Sequence, residues 1–182
     1  MRCRTGGSNR ICVRRLCRGR FCVHRSSLKN LGGAYRTDIR DHDRIRLASG
    51  AGQTSFIDTN DIADVAAIVL SEPELHRGQA YTLTGPEALD YNQVASILSA
   101  ALGRPISYQP IGLLTYRREL NAQRLPKAFV NVQLVINAVA RLGLAAKVNG
   151  TIKRLLGRDP GTLSAYIAAH TALWTPDQPD SQ

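Results

Sequence analysis

Six tyrosines are the first place to look for chemistry, because a tyrosine with a lysine four residues on can pass a proton, the ammonium lowering the phenol's pKa. Tyr35, Tyr81, Tyr91, Tyr108, Tyr116 and Tyr166 are followed at that distance by Ile39, Gly85, Ala95, Gly112, Leu120 and His170. None makes the pair, so no catalytic residue is assigned. The four cysteines, Cys3, Cys12, Cys17 and Cys22, lie nine, five and five residues apart. Zinc needs ligand pairs two to four residues apart followed by a second such pair, and a redox site needs C-x-x-C, so no metal site is assigned either. Asp58 and Asp61 stand out among the carboxylates. Their plain reading is helix capping, worth about 0.5 to 2 kcal/mol for a good cap, and it outweighs a catalytic one. His170 is read as a packed or surface histidine of the last helix. The pair Arg117-Arg118 reads as a solvated face, with anchoring of an anionic group as its functional alternative.

The elements that must position these residues follow from periodicity. Ser55 to Ile57 are β-prone and stop at Asp58-Thr59-Asn60-Asp61, a cluster of capping types. Ile62, Val65, Ala66, Val69 and Leu70 then recur at spacings of three and four, which predicts a helix of about three turns with one apolar face. A strand running into an amphipathic helix is half of a βαβ unit, so an α/β layer is expected. Upstream, Leu28 to Ile39 has helical spacing despite Gly32-Gly33, and Arg44 to Leu47 alternates as a short strand does. Downstream, Gln79 to Thr84 reads as a strand buried on both faces. A helix from Tyr91 to Leu102 stops at Gly103. Pro105 to Gln109 reads as another strand. Helices are predicted over Leu113 to Arg124, Ala128 to Leu144, Thr151 to Leu156 and Thr162 to Trp174. The third-last of these places Phe129, Val132, Val135, Ile136, Val139 and Leu142 on one apolar face. The tail from Pro176 to Gln182 is polar and is expected to be disordered.

At 182 residues and 43% apolar, the chain suits one globular domain, and it holds no apolar run long enough for a membrane span. Its net charge of +10 is local. Residues 1 to 36 carry ten Arg or Lys and no acid, while the remainder is formally neutral. A pI near 10.0 therefore describes an appendage more than a domain. That appendage, residues 1 to 26, can be read as an unstructured basic arm, an organelle-targeting leader, or a nonspecific phosphate-binding segment. Its abrupt change of composition near Ser26 favours a fourth reading, a reading-frame or start-site artefact. No specific nucleic-acid partner is expected.

The runs SFIDTNDIADVAAIVL, GQAYTLTGPEALDYNQVASILSAALGRPISYQ and LLGRDPGTLSAYIAAHTALW, in that order, resemble the C-terminal half of NmrA-like proteins. These are atypical short-chain dehydrogenase/reductases that bind NAD(P) on a Rossmann fold. The resemblance covers residues 28 to 174. It implies an α/β fold, with the C-terminal strands of a partial Rossmann-like sheet and a mainly helical C-terminal substrate lobe. The domain then spans residues 27 to 175. Asn30, Asp58 and Tyr116 are the positions assigned to substrate binding, Asn30 because the resembling proteins place residues beside the nicotinamide near there.

A dinucleotide site needs a G-x-G-x-x-G turn between a strand and a helix, and residues 1 to 50 supply none. Gly50-Ala51-Gly52 gives only G-x-G before a late strand. The expectation is therefore a truncated oxidoreductase, the substrate-side half of a protein whose full form uses NADP or NAD on a small organic substrate, with no cofactor held by this chain. A nucleotide-sensing regulator and a nonfunctional fragment are the alternatives. Self-association through the exposed sheet edge and a cytoplasmic location complete the expectations.

Overall fold

The computed structural model describes residues 20–23 and 26–176. Its strands are β1 (Arg20–Val23), β2 (Ser26–Ser27), β3 (Arg44–Leu47), β4 (Thr54–Ile57), β5 (Ala80–Leu83), β6 (Ala88–Leu89) and β7 (Ser107–Pro110). Its helices are α1 (Lys29–Gly32), α2 (Arg36–His42), α3 (Thr59–Ser71), α4 (Tyr91–Leu102), α5 (Leu113–Ala122), α6 (Lys127–Arg141), α7 (Thr151–Leu156) and α8 (Leu163–Ala169). A 3₁₀ turn over Thr171–Leu173 follows the last.

The strands form three small sheets. β1 runs parallel to β5, β2 runs parallel to β4 with β6 antiparallel on the other side of β4, and β3 runs parallel to β7. Strands separated by helices and paired in parallel are the mark of an α/β layer, and the fold is α/β with Rossmann-type strands and a helical lobe, as expected. The last residues of the basic arm depart from expectation. Arg20 to Val23 form a strand in register with Ala80 to Leu83, so the arm does not end at residue 26 as a separate segment. Residues 1–19 and 24–25, and the tail from 177, lie outside the described residues.

Helix α4 is placed by its sequence alone. Asp90 accepts a hydrogen bond from the Gln93 amide, the Gln93 side chain returns one to the Asp90 amide, and Gly103 closes the helix at φ 65°. The single helix predicted over Leu28 to Ile39 is two, because the chain breaks at Gly33 (φ −111°, ψ −90°). The next two ends also come early. Arg124 takes a left-handed turn (φ 55°) after α5, and the chain leaves α6 through Gly143 (φ 71°) to let the Ser55 amide donate to the Ala145 carbonyl at 3.0 Å. β5 is not buried on both faces as predicted. Only Leu83 is buried, while Ala80 is exposed and Tyr81 and Thr82 are half-buried.

The main core gathers Leu28, Leu31, Ile45, Leu47, Phe56, Val94, Leu98, Ile167 and Trp174. Trp174 is fully buried and its indole N–H donates to the Leu31 carbonyl at 3.0 Å, tying the end of the lobe to α1. A second cluster under α3 holds Ile57, Val65, Val69, Leu83 and Ile152. The apolar face predicted on α6 is the surprise. Phe129, Val132, Val135 and Leu142 are exposed, and the buried residues of that helix are Val130, Asn137 and Ala140. Two glycines are required by close approach. A Cβ on Gly52 would lie 1.9 Å from the Ala140 carbonyl oxygen, and one on Gly85 would lie 1.6 Å from that of Phe56.

Candidate functional site

The structure places the three proposed substrate positions apart. Tyr116 is buried on α5, packed against α6, and lines a cavity of about 240 Å³. Tyr35, Leu120, Leu125 and Phe129 supply its apolar wall, and Arg46, Glu119 and Gln133 its polar one. Asn30 and Asp58 do not line that cavity. Asn30 is exposed on α1, and its carbonyl accepts from the Tyr35 amide at 3.2 Å. Asp58 follows β4 and caps α3, its carboxylate accepting from the Asn60 amide at 2.9 Å. Both stand just past the carboxyl ends of parallel strands, where open α/β sheets bind ligands.

Asp61, read from sequence as a cap beside Asp58, does something else. Its carboxylate is buried, accepts from the Gly161 amide at 2.8 Å and pairs with Arg158 at 2.7 Å. Asp64 holds the same guanidinium at 2.6 Å. These bonds fasten the loop between α7 and α8 to α3. Arg117 and Arg118 are exposed, in line with a solvated face. His170 stacks on Tyr166 with ring centroids 4.4 Å apart, and its Nδ1 lies 2.8 Å from the Tyr166 carbonyl, so the proton on that nitrogen is the one donated.

Around the cavity the tyrosines form a cluster no local pattern announced. Tyr91 meets Tyr35 edge-on at 6.4 Å and lies against Tyr108 at 5.6 Å. Burial pushes the Tyr35 phenol well above its ordinary pKa, and the neighbouring Tyr91 and Tyr116 add to this. Burial also raises Tyr116, against the pull of a hydrogen bond from the Asn137 side chain. Tyr108 is pushed up to about 12 by burial. These phenols are therefore neutral donors at physiological pH and not bases. Asn137 is the residue sequence reasoning passed over. Its signal was a polar side chain two turns from the inward-facing Val130 and one turn from Ala140, on a helix whose face had been assigned by hydrophobicity alone.

On one wall of the cavity Arg46 grips Glu119 through Nε at 3.0 Å and Nη2 at 2.6 Å. Arg44 holds Asp38 at 3.2 Å. The cavity thus presents aromatic and aliphatic surface, the phenols of Tyr35 and Tyr116, the amides of Gln123 and Gln133, and carboxylates paired with arginines. That suits a small uncharged molecule with a hydrogen-bond acceptor.

The one G-x-G turn, Gly50 to Gly52, is closed by α6, with the Ala140 carbonyl against Gly52 and the Arg141 side chain over Gly50. Gly52 serves the approach of that helix, since a Cβ there would meet the Ala140 carbonyl.

Comparison with known proteins defines the class. The chain is a relative of oxidoreductases and shares the Rossmann-type α/β fold of NAD(P)-dependent reductases. No protein-family model matches it. It is 36% identical over 141 residues to the uncharacterized oxidoreductase YesF of Bacillus subtilis, covering 78% of this chain and 49% of that protein. It is 35% identical over 138 residues to the NAD(P)H azoreductase of Xenophilus azovorans, covering 76% and 48%. The chain spans about half the length of the curated relatives it matches. Among solved structures, an NADPH-dependent quinone oxidoreductase of Escherichia coli superposes with a TM-score of 0.71 at 25% identity, over 80% of this chain and 52% of that one. A nucleoside-diphosphate-sugar epimerase of Staphylococcus aureus superposes at 0.72 and 24%, over 81% and 50%, a likeness of fold.

Proposed function

We propose that this chain is the substrate-side half of an NmrA-like, NAD(P)H-dependent reductase of the cytoplasm, and that the Tyr116 cavity holds its small organic substrate. The observation that carries this is the cavity itself, which α5, α6 and the residues after α1 enclose in a chain matching one half of its reductase relatives. The azoreductase and the quinone oxidoreductase support the substrate class. An azo group and a quinone are both flat, uncharged and rich in acceptor lone pairs, which is what the cavity wall suits. Asn30 and Asp58 belong to the same reading as substrate contacts on the crest of the sheet. Cofactor binding is assigned to the half of the relatives' length that the match does not span. Self-association is assigned to β1, which pairs with β5 alone among the described residues and so offers its other edge.

The test is NADPH binding by calorimetry, on this chain and on a form extended by the preceding half of a relative's domain. The expected result is saturable binding and steady NADPH oxidation in the extended form, and neither in the short one. Tight NADPH binding by the short chain overturns the division of labour. Binding without turnover in the extended form, across ketone, quinone and azo substrates, replaces the enzyme by a nucleotide sensor.

A further inference from the structure

Between α5 and α6, away from the Tyr116 cavity, lies a smaller one of about 190 Å³. Arg117 and Asn121 of α5 and Lys127 and Asn131 of α6 line it, with the buried Val130 at its floor. Each pair is four residues apart, so its members stand one turn above the other on the same helix face. Every polar side chain in that lining can donate a hydrogen bond, and none is acidic. None of the four has a side-chain partner among the described residues. Arg118 and Arg124 add two more exposed cations to the same hairpin. Its only acid, Glu119, faces the Tyr116 cavity and is held there by Arg46 at 2.6 Å. Helix α6 also opens without a side-chain cap and with no acid in its first turn. Lys127 stands at its first position, where the helix dipole disfavours a cation. The cations of the hairpin repel one another, a cost that a shared counter-ion removes.

We propose that the groove between α5 and α6 is a binding site for a phosphate monoester, with the Arg117 guanidinium and the Lys127 ammonium on its terminal oxygens and the Asn121 and Asn131 amides as flanking donors. Two cations on facing helices match a group that carries about two negative charges at pH 7. The planar fork of Arg117 takes two oxygens together, and Lys127 takes a third as a point charge. A carboxylate offers only two oxygens, in one plane, and leaves one side of the groove unmet. The cavity is smaller than the about 300 Å³ at which pockets for whole drug-sized ligands begin, so it grips the phosphate and leaves the rest of the ester outside. A soluble ester and the headgroup of a lipid present the same chemistry to it. The site is separate from the Tyr116 cavity and does not depend on the substrate reading.

Methyl phosphate is titrated into the full 182-residue chain at constant ionic strength, and individual amides are followed by NMR. The side-chain amides of Asn121 and Asn131 and the backbone amides of Ala128 and Phe129 should shift together and saturate. The arginines of residues 1 to 25 attract anions as well, so binding is read at these four positions alone. Arg117→Gln and Lys127→Gln should each weaken it on the order of fivefold. Lys29→Gln combined with Lys147→Gln removes more charge from exposed positions elsewhere and should leave it within about twofold. Shifts that rise without saturating overturn the proposal. So do groove variants that bind like the wild type, and chloride that moves the four amides equally at the same ionic strength. With methyl phosphate saturating, the source is decided by sedimentation with phosphatidylcholine vesicles containing phosphatidic acid, whose headgroup is a phosphate monoester. A loss of vesicle binding in the two groove variants, absent from the control pair, assigns the lipid headgroup, and no such loss assigns a soluble ester.

Discussion

Asp61→Ala is the substitution for which the structure makes the sharpest demand. The carboxylate is 2% exposed and serves two groups, the Gly161 amide and the Arg158 guanidinium. Removing it leaves the Gly161 N–H without its partner, at a cost of about 1–3 kcal/mol. Arg158 keeps Asp64 and is itself 47% exposed, so losing one of its two carboxylates adds only about 1 kcal/mol or less. The sum is a loss of about 1–4 kcal/mol. With a urea dependence of about 2 kcal/mol per molar, the unfolding midpoint should fall by about 0.5–2 M. Trp174 is the single tryptophan, fully buried, and its fluorescence reports the transition. Asp64→Ala is the control. Its carboxylate is 54% exposed and shares the same arginine, so it should cost under about 1 kcal/mol. Equal midpoints for the two variants would refute the argument, because they would show that the buried carboxylate is no more committed than the exposed one.

Other outcomes follow from the same geometry. Tyr35, Tyr108, Tyr116 and Tyr166 have folded pKa values raised above the ordinary phenol value, so the folded state holds more protons than the unfolded one above pH 10. Their contribution to stability is whole below pH 10 and is lost as pH rises through the folded values, with Tyr108 at about 12. Absorbance at 295 nm should show these four ionising late and together with unfolding, and ionisation of all six near pH 10 in the folded state would contradict this. Gly85→Ala should destabilise by about 3 kcal/mol, since the new methyl would meet the Phe56 carbonyl at 1.6 Å and only backbone movement relieves it. A thermal melt within a degree of the wild type would show that the approach is looser. Trp174→Phe should cost about 1–3 kcal/mol by leaving the buried Leu31 carbonyl without its donor, measured by urea unfolding followed by circular dichroism.

Much of this was legible where the forces are local. The capping box at Asp90 and Gln93, the stop at Gly103 and the cap at Asp58 each depend on residues within four positions, and α4 falls where periodicity put it. The division at Gly33 was not legible, because helical spacing continues through the glycine pair. On α6, hydrophobicity chose Phe129, Val132, Val135 and Leu142 as the inner face, and the fold turned Val130, Asn137 and Ala140 inward. Tyr116 was named among the substrate positions and does line a cavity, while Asn30 and Asp58 stand elsewhere on the crest of the sheet.

By itself the amino-acid sequence determined the element types, the α/β class and the likeness to nucleotide-dependent reductases, because these follow from periodicity, capping and motifs read along a few turns of chain. The tertiary structure alone decided what Asp61 and Asn137 do. Each takes its partners from distant segments: Gly161 lies a hundred residues from Asp61 and Ser49 eighty-eight from Asn137. A carboxylate beside a helix start looks like a cap, and an asparagine on an apolar helix looks like an exception, until folding brings up the one amide or hydroxyl that completes its bonding.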